Sequence, residues 1–580
     1  MALLLEKRGT EIYITEEIVI AAVANCQGGR EVTALLLDKR GAEIQITEEV
    51  ISAAAANQKS GREVIALLLD KRGAEIQITE EVVAAAAANW YSGREVMALL
   101  LEKHGPEIWI TEEVVIAAAA NGDSGREVMA LLLDKRGAEI QITEEIAMAA
   151  AANWYSGREV MALLLDKRGT EIRITEEIVI AAAANGNSGR EVMALLLERR
   201  GAEIRITEEI VIAAAANGNG RAVMALLLDR RGPEIRITKE VLKAAAANSD
   251  SGRAIMALLL DKRGAEIRIT EEVVKAAAEN WNSGGEVMAL LLDKRGAEIK
   301  MTEELVTAAA ANLSSGGELM ALLLDKRGTE IQITEEVIKT AAANEWSGRE
   351  VMALLLDKRG TEIQITEEVI IAAAANGDSG RAVMALLLDK RGAEIRITEE
   401  VVVAAATNGD SGREVMALLL DKRREEIQIT EEVVVAAATN GDSGRAVMVL
   451  LLDKCVADIQ ITERIVIAAA ANWYSGRAVM ALLLDKRGTE ILITEEVVVA
   501  AATNWYSGRA VMALLLDKRG AEIQITKEVV IAAAANGNSG RAVMALLLDK
   551  RGVEIQITEE VVIAAAANGD SGREVMALLL

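Results

Sequence analysis

The sequence predicts an all-α fold, an α/α solenoid of about 18 tandem 32-residue helix-turn-helix repeats. Three observations point there. A glycine recurs every 32 residues, at Gly9, Gly41, Gly73, Gly105, Gly137, Gly169 and Gly201, then after one missing residue at Gly232, Gly264 and on to Gly552. Such a period is the mark of stacked supersecondary units. Each unit holds two apolar runs with helical spacing, each opened by a capping residue. Apolar residues make up 51% of the chain and Phe is absent, so Leu, Ile, Val, Met and Ala must supply a continuous core.

The unit Ala138–Gly169 shows each element in order. Thr143 is the expected N-cap of the first helix, because its hydroxyl can accept from an unpaired N–H of the first turn. Glu144 and Glu145 follow at the positive end of the helix dipole. Ala149–Ala152 propagates the helix and lets neighbours approach closely. Asn153 is expected to end it in the left-handed conformation. Ser156-Gly157-Arg158-Glu159 reads as a capping box for the second helix. Val160, Leu163 and Leu164, widened by Met161 and Leu165, form its apolar stripe. Lys167 and Arg168 suit the negative end of the dipole, and Gly169 is the expected left-handed stop. Pro106 and Pro233, the only prolines, follow such a glycine.

Glu139-Ile140-Gln141-Ile142 alternates like a strand. A sheet spacing of about 4.8 Å cannot keep step with helices that need about 8–10 Å. The segment is therefore expected to be an extended linker whose two Ile plug the groove between helices, with a short isolated strand left open.

The repeat overrides the several domains that 580 residues would ordinarily imply, and one continuous array over 1–580 is expected. The chain starts and stops within a second helix, leaving Leu3–Leu5 and Leu578–Leu580 bare. That points to a fragment of a longer protein or to end-to-end self-association. No membrane span and no signal peptide are read from the sequence. Cys26 and Cys455 are too far apart in sequence to imply a disulfide framework, which fits a cytoplasmic setting. The net charge of −25 repels polyanions and anionic membranes on balance.

Irregularities are few. A Ser is missing between Asn219 and Gly220, which should shorten one loop. Arg424-Glu425 and Cys455-Val456 replace the usual stop and should loosen the array. Gly285 and Gly317 replace Arg and should weaken two first turns.

Two positions vary. One is the pair after each Asn: Trp90-Tyr91, Gly122-Asp123, Trp154-Tyr155, Trp281-Asn282, Glu345-Trp346, Trp473-Tyr474 and Trp505-Tyr506 among others. The second lies between the two linker Ile: Tyr13, Gln45, Trp109, Arg173, Lys300, Leu492. Every Trp and Tyr sits at one of these two. Loop tips tolerate change, but aromatics kept out of every other position argue for a recognition edge. The candidate ligand-binding residues are Trp90, Tyr91, Trp109, Trp154, Tyr155, Trp281, Trp346, Trp473, Tyr474, Trp505 and Tyr506.

Catalytic chemistry has little to stand on. His104, the sole histidine, takes the place of a helix-end Arg. Gly122-Asp123-Ser124-Gly125 recurs in five repeats, and one His cannot serve five triads. His/Cys clusters for a metal and a phosphate loop for a nucleotide are both missing, so no cofactor is expected.

The Thr143 cap, Ala-rich first helix, Asn153, variable Trp154-Tyr155 and Gly157-Arg158 resemble in layout the DNA-reading repeats of TAL effectors. Over the full chain, Thr79-Glu80-Glu81-Val82-Val83 and Ser92–Ala98 resemble the C-terminal repeat arrays of filamentous-fungal NACHT/NLR-type proteins, often labelled ankyrin-like. That resemblance implies the sensor region of an innate-immunity or heterokaryon-incompatibility receptor. The expected function is a non-enzymatic scaffold that binds a protein or glycan ligand through the loop edge. A structural or self-assembling spacer is the alternative. A nucleic-acid-binding array comes last, because the net charge disfavours it.

Overall fold

The computed structural model describes residues 14–455 and 459–579. Tyr13, Leu3–Leu5, Val456 and Leu580 lie outside these residues. Thirty-six α-helices and no strand occur among the described residues. The chain groups into two units, Met1–Ile299 and Lys300–Leu580. Each is a stack of the same helical hairpin. Within a unit, first helices pack on first helices as one layer and second helices on second helices as the other.

In the unit examined above, the first helix spans Glu144–Ala152 and the second Gly157–Arg168. Ile146, Ala147, Ala150 and Ala151 of the first are buried, as are Val160, Met161 and Leu164 of the second. Full burial of a Val, Ile, Leu or Met side chain contributes about 1.5–3 kcal/mol, so these two stripes carry the stack. Ile140 and Ile142 are buried from the linker side, as the plug reading expects.

The helix ends differ from expectation. No residue among those described has positive φ, glycine included. Asn153 ends its helix extended, at φ −65° and ψ 118°. Gly169 stays right-handed at φ −57° and ψ −29°. In most repeats the corresponding glycine opens a short 3₁₀ turn such as Gly73–Glu75. Arg424 adopts the same conformation, φ −50° and ψ −40°, so losing the glycine does not disturb that repeat. The Gly285 and Gly317 helices also keep their spans, Gly284–Arg295 and Gly316–Arg327.

Asn153 is instead the joint between repeats. Its Nδ2 donates to the carbonyls of Ala119 and Asn121 in the preceding repeat, both at 2.8 Å. Its Oδ1 accepts from the N–H groups of Tyr155 at 3.1 Å and Ser156 at 3.0 Å. One buried amide thus closes its own loop and satisfies two carbonyls of its neighbour. Asn89, Asn121 and Asn185 repeat the cross-repeat pair in the first unit, and Asn376, Asn472 and Asn504 do so in the second.

The expected capping box does not form. Ser156 makes no side-chain cap bond to its own helix. Its hydroxyl donates to the Asn121 carbonyl at 3.0 Å and joins the ladder. Gly157 is required by close approach. A Cβ there would lie 2.9 Å from both the Ala150 carbonyl oxygen and Ser188 Oγ.

The other end of the hairpin has its own clamp. Arg136 donates through Nη1 to the Gly105 carbonyl at 2.6 Å and through Nη2 to the Ile108 carbonyl at 3.1 Å. Its Nε reaches Glu139 at 2.7 Å. This arginine therefore satisfies the preceding repeat's orphan carbonyls as well as complementing the helix dipole. Thr111 donates to Glu80 of the preceding repeat at 2.6 Å, so the first-turn glutamates also tie repeats together.

Candidate nucleic-acid interface

The Asn turn determines how the variable pair is displayed. Because the Asn side chain holds the second residue's N–H in several repeats, the backbone under Tyr155, Tyr474 and Tyr506 is fixed. Rings at these positions have nowhere inward to go and stand outside. Trp473 is 52% exposed, Tyr474 70%, Trp505 45% and Tyr506 57%. Trp90, Tyr91, Trp154, Tyr155, Trp281 and Trp346 are likewise exposed, and none enters the core.

The structure brings some of these rings together. In the second unit, Trp473 and Trp505 lie nearly parallel, 15° apart with centroids at 6.4 Å. Tyr474 and Tyr506 stack at 5.5 Å and 16°. Trp473 and Tyr506 meet at 5.9 Å in a tilted contact. Two adjacent repeats thus build one four-ring cluster. In the first unit, Trp90 and Tyr155 meet at 6.0 Å across the intervening repeat. Gly122 of that repeat makes the closure feasible, since a Cβ there would stand 3.1 Å from the Tyr155 ring.

Other predicted residues stay apart. Trp109, 79% exposed, precedes its first helix, Glu112–Ala120, whereas the Asn turn follows that helix. The nine-residue helix separates the two positions by about 13 Å. The variable positions therefore form two edges, and Trp109 belongs to the linker edge. Trp281 and Trp346 make no ring contact among the described residues.

The sequence offers one basic residue per repeat after the variable pair, Arg158 and its counterparts, but does not show which of them are free of a carboxylate. Arg477 and Arg509 are the second residues of the helices Gly476–Arg487 and Gly508–Arg519, three residues after Tyr474 and Tyr506. In these repeats Ala478 and Ala510 stand where Trp90 and Trp154 repeats carry Glu95 and Glu159. Arg94 and Arg158 face those glutamates at 3.8 and 3.7 Å. Arg477 and Arg509 have no ion pair among the described residues. Once the geometry is known, the signal is Gly-Arg-Ala against Gly-Arg-Glu. Residues 457–520 also hold seven Lys and Arg against seven Asp and Glu, so the acidity of the chain is not local to this cluster.

The metal and catalytic readings gain nothing. No group of three or more His, Cys, Asp or Glu that could hold a metal occurs among the described residues. His104 Nδ1 lies 3.2 Å from Glu107, the helix-end contact its position suggests. No described helix is long and apolar enough to cross a membrane.

Comparison with known proteins adds the following. No curated protein matches the chain. Among solved structures, the chain is similar to the pentatricopeptide repeat protein PPR10 from maize, at 13% identity and a TM-score of 0.29, covering 100% of this chain and 90% of that one. It is also similar to PPR10 in complex with an 18-nt psaJ RNA element, at 12% identity and a TM-score of 0.34, covering 99% and 91%. The expectation of a protein or glycan ligand, with nucleic acid set aside on net charge, is corrected here. The ground lies in this chain itself: a charge summed over 580 residues does not describe the neutral stretch around Trp473 and Trp505. The family model described as domain of unknown function (DUF7104) matches eighteen times in succession, from residues 3–32, 35–64 and 67–97 through to 514–544 and 546–576. The chain belongs to the DUF7104 family, as an uninterrupted series of its repeats.

Proposed function

We propose that the array binds single-stranded nucleic acid along its loop edge, with aromatic rings stacking on bases and the neighbouring arginines contacting phosphates. The observation that carries this reading is the four-ring cluster of Trp473, Tyr474, Trp505 and Tyr506, followed in the first turn of the next helix by Arg477 and Arg509, which lack carboxylate partners among the described residues. Exposed flat rings held on a fixed backbone offer stacking platforms, and each stacked base contributes about 1–3 kcal/mol. Helical-repeat arrays can read one base per repeat, which is the spacing at which these pairs recur. Trp90, Tyr91, Trp154 and Tyr155 form the corresponding site of the first unit, weakened by the glutamates facing Arg94 and Arg158. Trp281 and Trp346 serve as single platforms, and Trp109 stands outside the site.

The test is fluorescence anisotropy of labelled oligouridine and oligoadenine against the full chain at low salt. Trp473→Ala with Trp505→Ala should weaken binding by at least about tenfold, with the circular dichroism spectrum unchanged. Failure of the wild-type chain to bind either oligomer would overturn the reading.

A further inference from the structure

The linker edge carries a feature that the loop-edge reading does not use. The residue between the two linker Ile is Gln in many repeats, but in four consecutive repeats it is Arg173, Arg205, Arg236 and Arg268. All four are exposed. None has a hydrogen bond or ion pair among the described residues. The helix-end arginines of the same repeats are clamped. Arg168, Arg200, Arg231 and Arg263 each bind a glutamate three residues on and carbonyls of the preceding repeat.

A second observation concerns different positions in the same stretch. Lys239 replaces the first-turn glutamate, and Lys243 and Lys275 replace the Ile, Val or Met usual on the outer side of the first helix. All three are exposed. Lys239 pairs with Glu272 at 3.0 Å and Lys275 lies 3.7 Å from Glu279, while Lys243 has no partner among the described residues. Residues 170–275 hold sixteen Lys and Arg against sixteen Asp and Glu, in a chain of net charge −25. Carboxylates are present too. Glu144, Glu145, Glu176, Glu177 and Glu203 line the open groove between Arg173 and Arg205. Three of them are engaged, Glu144 by Thr175, Glu176 by Thr207 and Glu203 by Arg200.

We infer that this strip docks the phosphate backbone of a polyanion through charge alone, one guanidinium per repeat. A guanidinium presents a rigid fork of donors that matches a phosphate's oxygens. Adjacent repeats stand about 8–10 Å apart, so the four arginines form a ladder of equivalent points for a flexible chain of equivalent anions. An acidic peptide is the poorer fit. Peptide docking relies on side-chain pockets or an open strand edge. The linker Ile next to these arginines are buried or half-buried, and no strand occurs among the described residues. No aromatic ring occupies the linker position in these four repeats, so bases would go unread.

Inorganic polyphosphate is the probe, because it carries the backbone charge without bases. The full chain should bind it in isothermal titration at low salt. The variant R173Q/R205Q/R236Q/R268Q should lose at least about tenfold in affinity, and its dependence of log K on log salt should flatten by about 0.7 per arginine removed. Glutamine occupies this position in other repeats, including Gln141 and Gln364, so the variant keeps the fold. The Arg477→Gln, Arg509→Gln chain should bind polyphosphate nearly as wild type does, which separates this strip from the loop edge. Unchanged binding by the four-glutamine variant would overturn the inference. So would competition by polyglutamate as effective as by unlabelled polyphosphate, since that would identify an acidic peptide surface.

Discussion

At the scale of single residues, the asparagine after the Ala run governs both stability and display. It is present in every repeat, and left-handed backbone preference predicted its place but not its job. The reason is physical. A local reading sees only the backbone an Asn tolerates, whereas the bonds that matter reach residues 32 and 34 positions earlier. Asn153→Ala removes a buried amide, strands the Ala119 carbonyl and two N–H groups, and leaves the Asn121 carbonyl only the Ser156 hydroxyl. It should destabilise its neighbourhood by on the order of 3 kcal/mol, read as faster amide exchange in the two flanking repeats. Asn153→Asp should be no better, because a carboxylate keeps the acceptor but cannot donate to the Ala119 and Asn121 carbonyls. The exposed rings were legible for a simpler reason. A core made of small and aliphatic side chains leaves Trp and Tyr no inward position, and their confinement to two variable sites showed that directly. The free guanidiniums of Arg477 and Arg509 were not legible until the geometry showed which glutamates their counterparts face.

At the scale of the element, helices and their spans follow from apolar spacing, and their ends follow from neighbours. The two glycines of each repeat make the contrast testable. Gly157→Ala forces a Cβ against the Ala150 carbonyl oxygen and Ser188 Oγ, and should cost about 1–3 kcal/mol. Gly73→Ala meets nothing within 4 Å and keeps a right-handed backbone. It should be neutral or stabilising by up to about 1 kcal/mol, through the unfolded chain. Paired urea melts decide the matter, and equal effects would contradict the packing account. The clamps add a pH dependence. Arg136, Arg200, Arg359 and Arg391 hold Glu139, Glu203, Glu362 and Glu394 below the ordinary carboxylate range. Lys527 draws Glu560 down to about 2. A depressed carboxylate adds stability that is full above its unfolded pKa and is lost as pH falls through the folded one. Melting temperature should therefore hold from neutral pH to about 5 and fall steadily between about 4 and 2. A flat profile over that acid range would show that the clamps contribute nothing.

At the scale of the whole molecule, the repeat period in the sequence predicted the hairpin stack, because each hairpin buries its stripe only against neighbours. Net charge was the misleading whole-chain quantity. Acidic first turns in nearly every repeat dominate the sum, while residues 457–520 and 170–275 are close to neutral. Function in a repeat array follows the local surface, and only comparison of one copy with another brings it out. Removing all four rings at Trp473, Tyr474, Trp505 and Tyr506 should leave helicity unchanged and melting within about 1 °C, since exposed surface substitutions usually cost under about 0.5 kcal/mol. A cooperative loss of structure would place those rings in the packing instead. The most direct measurement is the salt dependence of oligouridine binding by the wild-type chain and by chains carrying Trp473→Ala with Trp505→Ala, or Arg477→Gln with Arg509→Gln. The account predicts at least about a tenfold loss for the tryptophan pair at every salt concentration, and a salt slope flatter by about 0.7 per residue for the arginine pair. Wild-type binding that neither pair alters, or no binding at all, would contradict it.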